Sequence, residues 1–102
     1  MDKAKLSEYI GVLEESVRRF DRAETRQNYL PKKNDREAEQ KIKDNEIQVM
    51  ENYFLSNPEL NAIFSEGKSH FEYEEAFTNR YFSRDFHRFI SELREMQGNL
   101  LD

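Results

Sequence analysis

The sequence predicts an all-α protein, a small bundle of about four helices whose first and last helices are heptad-patterned. Three observations lead there. Apolar residues recur at alternating spacings of four and three in two long segments, one towards each end of the chain. Chain-breaking residues are scarce, with Gly only at Gly11, Gly67 and Gly98 and Pro only at Pro31 and Pro58, fewer than turn-rich or strand-rich folds use. Charged residues reach 36%, a level that permits disorder, but ten of the 13 aromatics fall between Tyr53 and Phe89 and provide material for a core.

The first helix is expected over about residues 2–26. Leu6, Ile10, Leu13, Val17 and Phe20 form its seam, and Gly11 lies off it. Glu14 and Glu15 precede Arg18 and Arg19 by four residues, the favourable order for helical ion pairs. Pro31 keeps Leu30 out of the helical region, so this helix ends between Arg26 and Leu30. After Lys32 and Lys33, Asn34 or Asp35 is expected to cap a second helix running to about Leu55, with Glu37 in its first turn. Ala38, Ile42, Ile47, Val49, Met50, Tyr53 and Phe54 make a looser stripe, and residues 36–46 read as mostly solvated.

Asn57-Pro58-Glu59 reads as the cap, first residue and first-turn acid of a short third helix. That helix carries Leu60, Ile63 and Phe64 and stops at Gly67. A last helical region is expected from about Ser69 to Met96, with Ser83 capping a fresh start and a kink between Tyr81 and Arg84. Phe82, Phe86, Phe89, Leu93, Met96 and Leu100 form its seam, and Gly98 ends it. All 102 residues read as one domain. The two seams can pack antiparallel within one chain as a bundle or pair with a second copy, and the small number of aliphatics to bury favours some sharing, in a homodimer that pairs the terminal helices.

Several function classes are excluded. The absence of cysteine removes a disulfide framework, a thiolate zinc site and a Cys nucleophile. There is no Gly-x-Ser-x-Gly elbow and no Gly-rich phosphate loop. His70 has Glu66 and Glu74 four residues to either side, short of the three or four supported ligands a metal centre requires. Arg80 and His87, with six residues between them in an aromatic segment, resemble the Arg…His pair of HEPN-type ribonucleases. Tyr81 stands where that pattern has a polar residue, so the resemblance implies no nuclease activity. An acid/base role for His70 or His87 requires a concave pocket beside Arg or Glu. No catalytic, cofactor-binding or metal-ligating residue is assigned, and the chain is expected not to be an enzyme. No apolar run approaches the ~20 residues of a membrane span. The first 25 residues lack the apolar block of a signal peptide, so a cytoplasmic location is expected.

What remains is surface. Arg18, Arg22 and Arg26 lie four residues apart, and so do Arg80, Arg84 and Arg88, each set a ladder on one helix face. Asp21, Glu24, Asp85 and Glu92 are the acids expected to balance them in solvent. Residues 16–36 hold seven basic and three acidic side chains, whereas five acids face one lysine between Glu59 and Glu75. Tyr73, Phe77 and Tyr81 occupy a rotated face beside Arg80 and Arg84, and Tyr and Arg are residues that interfaces favour. The expectation is a non-enzymatic protein-binding module of adaptor or inhibitor type, acting through these aromatic and arginine faces. The alternative is nucleic-acid or nucleotide binding through the ladders, which a net charge of −5 disfavours as a general activity.

Overall fold

A computed structural model describes residues 2–66 and 73–100, with the backbone alone at 73 and 74. Its elements are α1 (Lys3–Tyr29), α2 (Lys33–Ser56), α3 (Pro58–Ser65), the single turn α4 (Tyr73–Ala76) and α5 (Phe82–Gly98). No strand occurs among the described residues. α1 is the central helix. α2 runs antiparallel along one side of it, joined by Arg19–Glu46 and Gln27–Gln40, and α5 runs antiparallel along the other, joined by Glu14–Arg94 and Asp21–His87. The bundle measures 51 × 24 × 22 Å, so the long helices set its length.

Local chemistry explains most boundaries. Asp2 Oδ1 accepts from the Lys5 backbone N–H at 2.7 Å and caps α1. Leu30 leaves the helical region at φ −83°, ψ 125°, as the following proline requires. α2 starts at Lys33, so Asn34 and Asp35 lie within its first turn instead of capping it, and Lys32 makes no side-chain cap. Arg36 organises this start, donating from Nη1 to the Leu30 and Pro31 carbonyls at 3.2 and 2.8 Å. Pro58 opens α3 as expected. The Asn57 side chain, however, caps nothing in α3; it donates to the Tyr53 carbonyl at 2.7 Å and closes the end of α2. Gly67, Ser69, His70, Phe71 and Glu72 lie outside the described residues. The expected kink near Ser83 is a complete break: residues 77–81 form turns, Tyr81 takes the N-cap position of α5, and Ser83 lies inside the helix.

The core explains why the ends of the chain are patterned alike. Leu6, Ile10, Leu13, Val17 and Phe20 of α1 are buried, as are Phe82, Phe86, Phe89 and Leu93 of α5. They share one cluster with Met50 and Phe54 of α2 and Leu60 and Phe64 of α3. The two seams therefore close within one chain as far as Leu93, while Met96 is exposed and Leu100 only partly buried at the end of the second, so most of the open surface that motivated a homodimer is already covered. Phe54 meets Phe64, Phe77 and Phe86 edge-to-face at centroid distances of 5.1, 5.5 and 5.6 Å, the preferred geometry for aromatic pairs.

Three charged residues are buried against expectation. Lys43 is 2% exposed and Glu46 4%, while Ile42 and Val49 of the same helix face outward. Met50 and Phe54 fix the inward face of α2, and residues 43, 46 and 47 share that face by helical spacing whatever their polarity. Lys43 Nζ donates to Gln27 Oε1 at 3.1 Å, sits 3.7 Å from Glu24 Oε1, and lies 5.1 Å from the Phe20 ring centroid. Glu46 accepts from Arg19 Nε. Asp85, expected in solvent, is 0% exposed; Oδ1 accepts from Arg84 Nε at 3.0 Å, and Oδ2 has no hydrogen-bond partner. Among the described residues, no helix is long and apolar enough to cross a membrane.

Candidate functional site

The antiparallel packing of α1 and α5 leaves an open groove between their outer edges, a cleft of about 620 Å³. Its α1 wall carries Glu14, Arg18, Asp21, Arg22 and Thr25, and its α5 wall carries His87, Ser91 and Arg94. The buried Ile90 contributes to the floor. Two ties cross the groove. His87 Nε2 lies 2.8 Å from Asp21 Oδ2, and Arg94 Nη2 donates to Glu14 Oε1. Residues 87 and 94 are seven apart, so at 1.5 Å per residue the ties stand ~10.5 Å from one another along the helices. Arg18 and Ser91 lie between them. Ser91 Oγ donates to the His87 carbonyl at 3.2 Å, an interaction that turns the hydroxyl along its own helix.

Charge in the groove is unevenly committed. Both carboxylates that line it are engaged by cationic or imidazole partners from α5. Arg18 pairs with Glu15 three residues earlier, an exposed contact of the weak class. Arg22 has no carboxylate partner among the described residues. It also borders a smaller recess of about 200 Å³ between α1 and α2, where Arg19, Arg26, Glu39 and Ile42 meet.

The structure thus brings Arg18 and Arg22 together with α5 side chains, and places Arg26 on the adjoining recess. The second ladder is not one helix face. Arg80 lies in the turn before α5, while Arg84 and Arg88 project from α5 into solvent. Arg80 and Arg84 lie over the Tyr81 ring, at 5.2 and 4.4 Å from its centroid. Phe77 is half-buried against Phe54, Phe64 and Phe86, so its ring belongs to the edge of the core. The Tyr73 side chain lies outside the described residues. The Arg80–His87 pair is also separated, since His87 turns to Asp21 and Arg80 to Tyr81. His87 does occupy a concave site beside arginines. No cluster of three or more His, Asp or Glu placed to hold a metal ion occurs among the described residues.

Sequence reasoning missed Arg94, Thr25, Ser91 and the pairing itself, although a signal for the pairing was there. The residues that follow Leu13 and Phe20 are Glu14 and Asp21, and those that follow Phe86 and Leu93 are His87 and Arg94. Positions flanking two antiparallel seams meet, and here they carry complementary groups. A scan against protein-family models, a search of curated proteins and a search of solved structures each found no match.

Proposed function

We propose that the chain is a non-enzymatic protein-binding module, of adaptor or inhibitor type, that receives its partner on the α1–α5 groove. The observation that carries this reading is the unequal pairing in that groove: Asp21 and Glu14 are taken by α5, while Arg22 stands on the rim without an acidic partner among the described residues. An arginine on a rigid helix beside a cleft offers five donors in a planar fork to an incoming acid, at the cost of ordering one exposed side chain. His87 has Asp21 beside it, as an acid/base residue would, but Ser91 directs its hydroxyl to the main chain and leaves the dyad without a nucleophile.

The test places a photo-crosslinking residue at Thr25 on the groove wall. Protein adducts competed away by untagged chain, and lost in the Arg18→Glu/Arg22→Glu variant, are expected. Adducts that are nuclease-sensitive and fall steeply with salt would transfer the groove to nucleic acid. Adducts unchanged by the double substitution would remove the groove from the interaction.

A further inference from the structure

We propose that the compartment between the two ties is an oxyanion site for a phosphomonoester dianion, presented by a phosphorylated side chain of the partner protein. The inference rests on the groove being the docking surface. The compartment is bounded at its ends by the Asp21–His87 and Glu14–Arg94 pairs and below by Ile90. Arg18 and Ser91 face it from opposite walls, with Arg22 at its rim.

Charge arithmetic selects the ligand. A carboxylate arriving at Arg18 would replace Glu15, one monoanion for another, and its gain would rest on Arg22 alone. A phosphate dianion brings more charge and three strong acceptor oxygens. Its three oxygens and second charge can be shared among the Arg18 guanidinium, the Arg22 guanidinium and the Ser91 hydroxyl, where a carboxylate offers two oxygens and one charge. Releasing Arg18 from Glu15 costs little, since that pair is exposed on one helix. Releasing Ser91 gives up only a contact to its own backbone. The ties also argue for one discrete group, because a polynucleotide following the groove would have to run over both.

Isotope-labelled chain titrated with inorganic phosphate, at constant ionic strength set by chloride, tests the site. Saturable shifts confined to Arg18, Ser91, His87 and their neighbours are expected. O-phosphoserine should reproduce them and acetate should not. Arg18→Ala is expected to weaken phosphate about tenfold, and Arg18→Lys to retain part of the affinity, since charge-assisted bonds are the stronger class. Shifts that acetate reproduces, or an affinity indifferent to Arg18→Ala, would overturn the site. Adenosine monophosphate binding more tightly than O-phosphoserine would overturn the partner side chain as the source. Protein adducts at residue 25 that phosphate fails to compete away would remove the dianion site and leave the docking reading standing. Phosphate binding with no protein adduct would overturn the docking reading, and with it the partner side chain as the source of the phosphate.

Discussion

Lys43 is tolerated in the interior because each part of it has a partner: the ammonium reaches Gln27 and Glu24, and it lies near the face of Phe20. Lys43→Ala should cost about 1–3 kcal/mol by leaving those partners unsatisfied. Lys43→Met, which leaves the same partners unsatisfied but keeps the packing of the stem, should cost less than Lys43→Ala. Urea unfolding of the two variants separates the outcomes. Tyr53 offers a different test. Burial, then Glu8 and Tyr9, raise its pKa above the ordinary tyrosine value. The folded chain therefore holds that proton more tightly than the unfolded one. Its contribution to stability is complete below pH ~10 and is lost as pH rises further. Tyr53→Phe should flatten the alkaline limb of stability against pH. It should not lower neutral stability, because the buried hydroxyl has no hydrogen bond to lose and its removal relieves a desolvation cost. Tyr53 already stood in the α2 stripe, whereas Lys43 was not legible beforehand, since periodicity counts apolar side chains and passes over a lysine on the inward face.

Helices were legible where one stripe was pure. The α1 and α5 seams place their core residues correctly from Leu6 to Phe20 and from Phe82 to Leu93 because bulky apolar groups recur there without interruption. α2 was blurred by Ile42 and Val49, which are apolar and exposed, and by Asn34, Asp35 and Asn57, good capping residues that the chain uses otherwise. Gly11 sits on the solvent side of α1, and a methyl group added to its Cα would find no neighbouring atom within 4 Å. Gly11→Ala should therefore stabilise by about 0.5–1 kcal/mol, read as a higher thermal midpoint. Residues 33–38 of α2 are all exposed, whereas the later turns bury Lys43, Glu46, Ile47, Met50 and Phe54. Hydrogen exchange should show amides in the first two turns of α2 opening at lower free energy than those from 46 to 54. Uniform protection along α2 would contradict this account of what holds the helix.

The groove belongs to the whole molecule, and that is why it was only half visible: its two walls lie on the first and last helices and meet because α5 returns along α1. The same return closes the seams on each other, so Phe86→Asp should unfold the chain by several kcal/mol rather than release a folded monomer. Circular dichroism and sedimentation of the variant together distinguish these outcomes. The wild type should sediment as an elongated monomer in keeping with its 51 × 24 × 22 Å dimensions. The aromatic cluster has a consequence for biosynthesis. Phe20, Phe54 and Phe64 leave the ribosome well before Phe82, Phe86 and Phe89, the rings that cover them. During translation the α1–α2 hairpin can form from local contacts while its aromatic face waits uncovered, a species prone to association or chaperone capture. A nascent chain stalled before α5 emerges should remain protease-sensitive, and the last helix should act as the latch that ends that exposure.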